Sequence, residues 1–167
     1  PATFRDNEVT PGITQADYAP YHFIDGINQS GVAIYHMGGW FDGWPRDEAV
    51  WFNNLNVPQR LLLTPFSHQI GYDAGWLEDI TPLVHDDFSL EAVTAFNAAE
   101  HLRFFDYYLK GINNGIMDEP PVWYYTMGAP EGEAWRSAES WPLPNEIRTN
   151  FYLTGDTAAS VNSVNDG

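Results

Sequence analysis

The hydrophobic pattern of the chain contains three short, continuous apolar runs. They cover residues 31–37, 60–64 and 122–127. Runs of this length without polar alternation are typical of strands that are buried on both faces, as in a parallel sheet. Glycine or proline closes each run, with Gly38-Gly39 after the first and Pro65 after the second. The pattern therefore predicts three buried strands.

Two segments between these runs have helical spacing. Residues 44–56 carry acidic side chains near their start, which favours a helix there. Their apolar stripe consists of Ala49, Val50, Phe52 and Leu55. Residues 89–110 begin with Ser89, a suitable N-cap, and are followed by Gly111, a suitable helix terminator. Their predicted apolar side consists of Val93, Phe96, Leu102, Phe105 and Leu109. The sequence therefore predicts two amphipathic helices.

The order of elements is strand, helix, strand, a long loop over residues 67–87, helix and strand. Such alternation implies right-handed crossovers and a largely parallel sheet, so the predicted fold class is α/β. Residues 1–30 are predicted to form an irregular connecting arm with one helical turn near Phe23–Ile27. Beyond the third strand, prolines and glycines interrupt the chain, and only residues 150–153 suggest a further strand. We therefore expect a β-domain to begin in residues 130–167.

Composition indicates a globular chain and limits its partners. Of its 167 residues, 44% are hydrophobic and 18% are charged, which argues against disorder. Asp and Glu number 23 against 7 Lys and Arg, and the net charge of −16 disfavours binding to nucleic acid or to anionic membranes. Cysteine is absent and no spacing typical of a metal site occurs, so no metal or cofactor is predicted. The sequence does not indicate a cellular location.

Two polar residues directly follow the first two predicted strands. Asp42 lies in the segment 38–44, and His68 ends the segment 64–68. Loops after neighbouring parallel strands open on the same edge of a sheet, so Asp42 and His68 are candidates for the acid and the base of a catalytic triad. Asp before His is also the order of the last two triad members in α/β-hydrolases. A simple Asp42-Gly43 turn and a surface His68 remain the alternatives.

The nucleophile of such a triad has no candidate in the sequence. A Gly-x-Ser-x-Gly elbow is absent, and the required strand–turn–helix setting is missing at Ser67, Ser89, Ser137 and Ser140. Three other histidines suit other places: a core position for His36, a solvated loop for His85 and a polar helix face for His101. Aromatic residues make up 16% of the chain and suggest a non-catalytic binding module as an alternative, although core and interface packing also accounts for them.

Several motifs occur in the order found in one known family. Gly-Gly-Trp-Phe-Asp-Gly at residues 38–43 is similar to the family's segment with the triad acid, and Leu-Leu-Thr-Pro-Phe-Ser-His at residues 62–68 is similar to its segment with the triad base. The helical segment 100–111 and parts of the run over residues 121–144 also match. On these motifs, from about residue 18 to residue 153, the chain resembles the cocaine esterase/X-Pro dipeptidyl-peptidase (CocE/NonD) group of α/β-hydrolases.

This resemblance implies a domain organisation. Residues 31–129 would be the C-terminal part of an α/β-hydrolase domain, and residues 130–167 a linker and the first strand of a truncated β jelly roll. Residues 1–30 would be the exit from the family's cap region. The family's nucleophile and oxyanion hole lie upstream, so the resemblance implies a fragment that is inactive alone. Its expected partner is the remainder of its own enzyme, with self-association as an alternative.

The resemblance also implies site residues and a reaction. Asp42 would be the triad acid, His68 the base, and Trp44 a residue that lines the acyl or alcohol pocket. The expected function is that of a serine hydrolase acting on small ester or on amide and peptide substrates, with X-Pro dipeptidyl-peptidase activity as the alternative. Gly43-Trp44 occupy the place where the α-amino-ester subgroup carries paired carboxylates, which disfavours a strict requirement for a free amine.

Overall fold

The computed structural model describes residues 7–67 and 89–150 of the chain. Their secondary structure consists of strands and α-helices joined by turns and short 3-10 helices. In chain order these strands and α-helices are β1 (Glu8–Thr10), β2 (Ile13–Thr14), α1 (Ile24–Ser30), β3 (Ile34–Phe41), α2 (Pro45–Asn54), β4 (Gln59–Ser67), α3 (Leu90–Lys110), β5 (Val122–Tyr125) and β6 (Trp135–Ala138).

A four-stranded sheet in the order β3-β4-β5-β6 is the main element of the described residues. β3, β4 and β5 run parallel, and β6 is antiparallel to β5. Consecutive strand residues point to opposite faces. His36 contacts Glu48 of α2, whereas Tyr35 contacts Glu100 of α3, so the two helices cover opposite faces of the sheet. The predicted α/β class is confirmed, with a sheet that is mixed.

Two parts of the described residues differ from the sequence-based prediction, and one predicted strand is not tested. β6 was not predicted because its two central residues, Arg136 and Ser137, are exposed, so no apolar run marks it. The arm predicted to be irregular contains the β1–β2 hairpin, and its predicted helical turn is the longer helix α1. The predicted strand over residues 150–153 lies outside the described residues, apart from Asn150.

The prediction that Gly38-Gly39 and Pro65 end their strands is wrong. β3 runs through both glycines to Phe41, and β4 runs through Pro65 to Ser67. The two backbones come very close at Gly39, where a Cβ atom would lie 2.0 Å from the carbonyl oxygen of Phe66. Glycine therefore continues the strand here, since any side chain would force β3 and β4 apart.

A β-bulge accompanies this close approach. Gly39 is the register partner of Thr64, whereas Phe41 is the partner of Ser67, so β4 contains one extra residue between the two pairs. The Thr64 hydroxyl donates to the Gly38 carbonyl at 3.2 Å and adds a bond between the strands. As a result, β3 and β4 end side by side at the same edge of the sheet.

The ends of α3 agree with the prediction, but its predicted apolar side is buried only in part. The Ser89 hydroxyl accepts a hydrogen bond from the Ala92 N–H at 3.3 Å, and Gly111 ends the helix in the left-handed region. Three residues of the predicted apolar side are exposed, with exposed fractions of 56%, 48% and 76% for Leu102, Phe105 and Leu109. Val93 is buried as predicted, together with Phe104 and the polar Asn97, which were not predicted to be buried. Polar side chains are tolerated on a buried face when they form hydrogen bonds there.

Ionic hydrogen bonds connect α3 to the sheet. The Tyr35 hydroxyl of β3 donates to Glu100 Oε2 at 2.7 Å, and Arg103 Nη1 donates to Glu100 Oε1 at 2.8 Å. Arg103 also donates to Glu119, whose other carboxylate oxygen accepts from Arg60 Nη2 of β4 at 2.9 Å. Arg60 is only 2% exposed, so Glu119 compensates a guanidinium that has lost nearly all of its water. We call Tyr35, Glu100, Arg103, Glu119 and Arg60 the ionic network.

Replacing Gly39 by alanine is expected to destabilise the protein strongly. The new Cβ atom would overlap the Phe66 carbonyl of β4, and relief requires movement of the strand backbone. We expect the free energy of unfolding to fall by at least about 2 kcal/mol, as measured by urea denaturation. The control is Gly43→Ala, because no described atom lies within 4 Å of a Cβ atom at that position. Equal stability of the two variants would contradict the role given to Gly39.

Replacing Tyr35 by phenylalanine is expected to have an effect that depends on pH. Burial, and then the hydrogen bond to Glu100, raise the pKa of Tyr35. At pH 8 the variant should lose about 2 kcal/mol, because a hydrogen bond to a charged group is removed. Above about pH 10 the unfolded state releases the tyrosine proton while the folded state keeps it, so the wild-type advantage should shrink by up to about 1.4 kcal/mol per pH unit.

Urea denaturation at pH 8 and at pH 11 measures this difference. The control is Tyr18→Phe, because Tyr18 is an exposed tyrosine for which the described residues provide no hydrogen-bond partner. A difference between wild type and Tyr35→Phe that stays constant between the two pH values would show that the Tyr35 proton is not held by the fold.

Candidate active site

The turn after β3 holds the first candidate residue. β3 ends at Phe41, and the next residue, Asp42, closes a turn in which its N–H donates to the Gly39 carbonyl at 2.9 Å. The Asp42 side chain is half-buried. Functional groups in open α/β sheets lie just beyond the C-terminal ends of strands, and Asp42 occupies such a position.

Trp44 lies in the same loop as Asp42 and directly precedes α2. Its carbonyl accepts the N–H groups of Asp47 and Glu48 at 2.9 and 3.1 Å, which fixes its backbone at the first turn of the helix. Its side chain is 54% exposed, so the indole is accessible from outside the described fold. The structure therefore brings Asp42 and Trp44 together on one short loop.

The second candidate residue follows β4. This strand ends at Ser67, and His68 lies outside the described residues, as do the residues up to 88. Phe41 and Ser67 are register partners, so the chain leaves β3 and β4 at neighbouring positions. The expectation that the two strands are parallel neighbours is confirmed, while contact between Asp42 and His68 stays a prediction.

A shallow apolar groove lies along α2, the helix that follows the loop of Asp42 and Trp44. It has a volume of about 420 Å³ and separates α2 from the preceding 3-10 helix and α1. Its main side chains are those of Tyr21, Ile24, Val50 and Trp51, and Asp47 contributes one carboxylate. Val50 was predicted to be buried against the sheet, but it is exposed and lines this groove instead.

The ionic network was not predicted as a functional or structural feature. A cavity of about 340 Å³ next to it is lined by Arg60, Glu100 and Arg103 together with Phe96, Trp123 and Trp135. The sequence contained two signals, an arginine at the head of the apolar run of β4 and a Glu100–Arg103 pair at helical spacing. What it could not reveal is Glu119, which reaches both arginines from outside any regular element.

Two other histidines, His36 and His101, have the surroundings that the sequence suggests. His36 is buried, with its ring nitrogens 3.1 Å from Glu48 Oε2 and 3.2 Å from Gln59 Oε1. His101 lies on the exposed side of α3, 2.7 Å from the carbonyl oxygen of Asn97. His85 lies outside the described residues. Within residues 7–67 and 89–150, no three His, Asp or Glu side chains group as metal ligands would, and no helix could span a membrane.

Comparison with protein families gives a match at the C-terminal end of the chain. Residues 114–167 match the family described as the X-Pro dipeptidyl-peptidase C-terminal non-catalytic domain. β5 and β6 lie inside this segment, whereas Asp42 and Trp44 precede it. The matched segment therefore contributes two strands to the sheet whose other strands lead to the candidate residues.

Similar proteins extend the likeness upstream of this segment. Two mycobacterial proteins, from Mycobacterium bovis and Mycobacterium tuberculosis, carry names that assign them to the serine esterases and are 35% identical over 141 residues, 83% of the chain. Cocaine esterase of a Rhodococcus species is 31% identical over 130 residues, 75% of the chain. The chain spans about one fifth of the length of these relatives. It belongs to the hydrolase family of cocaine esterase and the X-Pro dipeptidyl-peptidases.

Proposed function

We propose that this chain supplies the acid and the base of the Ser-His-Asp triad of a serine hydrolase, with Asp42 as the acid and His68 as the base. One observation carries the proposal: the register pair Phe41–Ser67 ends two parallel strands side by side, one residue before each candidate. Consecutive Cα atoms lie about 3.8 Å apart, so each candidate would lie one residue step from this pair. The serine would come from residues outside this chain.

The chemistry that this arrangement supports is acyl transfer to water. As the serine oxygen bonds to the substrate carbonyl carbon, His68 would take the serine proton and then give it to the leaving oxygen or nitrogen as that bond breaks. Water would repeat the sequence on the acyl-enzyme, with its proton passing through His68 back to the serine. Asp42 would accept the other imidazole N–H, hold the tautomer and stabilise the imidazolium.

An ester is the substrate class that the comparisons favour, because the named relatives with the longest alignments are esterases. Trp44, exposed and two residues beyond Asp42, would line the pocket for the acyl or alcohol group. Aromatic side chains contribute large apolar contact areas, so this pocket would favour substrates with an aromatic or bulky apolar group.

X-Pro dipeptidyl-peptidase activity is the second candidate, and the family description of residues 114–167 favours it. The two candidates are separable with the full-length enzyme. Hydrolysis of p-nitrophenyl butyrate with no release of p-nitroaniline from Ala-Pro-p-nitroanilide would support an esterase. The reverse result would support the peptidase while leaving the roles of Asp42 and His68 unchanged.

Asp42→Asn and His68→Ala in the full-length enzyme are each expected to lower kcat by about 10³- to 10⁴-fold. The asparagine would favour the wrong imidazole tautomer, and the alanine would remove the base. Turnover of p-nitrophenyl butyrate measures the loss, with circular dichroism to verify folding. Asp47→Asn is the control, since this exposed carboxylate lies five residues away at the start of α2. Near-normal rates for a folded His68→Ala variant would refute the assignment.

Trp44→Ala is expected to act on substrate preference. Removing an indole that contacts the acyl group should lower kcat/KM for p-nitrophenyl benzoate by about tenfold, which corresponds to the burial of part of one aromatic ring. The value for p-nitrophenyl acetate should change much less, because a methyl group is too small to use that contact. An equal loss for both esters would place Trp44 outside the acyl pocket.

A further inference from the structure

We propose that Trp40 is a positioning residue for Asp42, and that the C-terminal segment described by its family as non-catalytic supplies the anchor. This inference rests on the proposed function, because it concerns the same triad acid. It assigns to residues 114–167 a part in catalysis that passes through one hydrogen bond and one aromatic contact.

The anchor is a hydrogen bond that crosses the sheet. Trp40 lies in β3, and its Nε1–H donates to the carbonyl oxygen of Tyr125, at the end of β5, at 2.8 Å. β4 lies between these two strands, so only a long side chain can make the connection. The register pairs of β4 and β5 end at Leu63 and Tyr124, which leaves Tyr125 just beyond their ladder. The indole of β3 therefore binds a backbone acceptor at the edge where β3 and β4 also end.

Aromatic packing holds the same indole on one face of the sheet. The ring of Trp40 lies 6.2 Å from that of Trp141, and Trp141 in turn lies 5.6 Å from Tyr124. Both partners belong to the segment 114–167. Trp40 also packs against the core cluster formed by Ala49, Leu61, Leu63 and Val122. Its side chain is thus fixed by contact as well as by the hydrogen bond.

Phe41 is held by the same segment on the opposite face. It packs against the cluster of Tyr125, Ala129 and Ala134, all within residues 114–167. The C-terminal segment therefore contacts both residues that immediately precede Asp42, Trp40 on one face of the sheet and Phe41 on the other. Since the Asp42 N–H closes the turn on Gly39, Trp40 and Phe41 are the residues enclosed by that turn.

This arrangement connects the indole directly to the position of the carboxylate. A rotation of Trp40 would change the direction of the backbone at the end of β3. Asp42 follows two residues later, so its carboxylate would move with it. Displacement of a catalytic group by about 1 Å can cost 10²-fold in rate. A residue that only fills the core would lower stability and the fraction of folded enzyme, whereas a positioning residue lowers turnover at each correctly folded site.

The sharpest test removes only the indole N–H. In the full-length enzyme, Trp40 is replaced by β-(3-benzothienyl)alanine, which keeps the ring shape but has sulfur in place of the N–H, and Trp40→Phe serves as the second variant. The rate of p-nitrophenyl butyrate hydrolysis is divided by the number of active sites, obtained from the acyl-enzyme burst. For both variants we expect kcat to fall by about tenfold while KM stays within twofold. This loss is smaller than the 10²-fold loss from a displacement of about 1 Å, because the carboxylate would be only partly misplaced.

The matched control is Trp123→Phe. Trp123 belongs to β5, and among the described residues its buried Nε1 has no hydrogen-bond acceptor, so this substitution removes a tryptophan from the same sheet without breaking a described bond. Its kcat per active site should stay within twofold of wild type. A fall as large as that of the Trp40 variants would overturn the inference, because it would reflect general loss of aromatic packing.

The same replacements in an Asp42→Asn background complete the test. If Trp40 acts through Asp42, its replacement should have no further effect once the carboxylate is gone, so the two losses should not multiply. An undiminished tenfold loss in that background would overturn the inference. If the benzothienyl variant has a normal kcat while Asp42→Asn is inactive, the role of Trp40 is overturned and the proposed function stands. If Asp42→Asn is active, the proposed function itself is overturned.

Discussion

The close contact between the backbones of β3 and β4 determines where these two strands end relative to each other. At Gly39 the strands approach so closely that no Cβ atom fits, and the bulge in β4 shifts the register by one residue. Because of this shift, Phe41 is the register partner of Ser67, and the two strands end at the same edge of the sheet. A different register would separate the two loops by a full residue step and turn their first side chains to opposite faces.

The acidic composition makes the placement of basic side chains informative. Only 7 of 167 residues are Lys or Arg, yet Arg60 and Arg103 are used between α3 and the sheet rather than on the outer surface. A buried guanidinium requires a matched carboxylate, and Glu119 provides it for Arg60. The interior of this α/β unit therefore has one apolar cluster on the α2 side, and a second apolar cluster together with ionic hydrogen bonds on the α3 side.

Sequence patterns predicted the α/β class, the helix α3 with its Ser89 cap and Gly111 end, and the three parallel strands β3, β4 and β5, because each depends on local spacing. They failed where distant residues decide the outcome. Gly38-Gly39 has the local signature of a strand end, but the neighbouring strand makes it a strand interior. Leu102 and Leu109 have the signature of a core face, but Tyr35 and Arg103 satisfy Glu100 and draw a polar face inward. Asp42 was identifiable because it directly follows a strand, whereas the anchor at Tyr125 depends on how β5 pairs.

The sharing of one carboxylate by two guanidiniums constrains how this sequence can diverge. Loss of Glu119 alone would leave the buried Arg60 guanidinium without a carboxylate, at a cost of about 3–5 kcal/mol, whereas loss of Arg60 alone would leave Glu119 paired with Arg103. Joint exchange for apolar side chains of similar volume can instead be almost neutral. Substitutions at positions 60, 103 and 119 should therefore be coupled. Related sequences should keep all three charged residues or replace all three, and few should carry only part of the set.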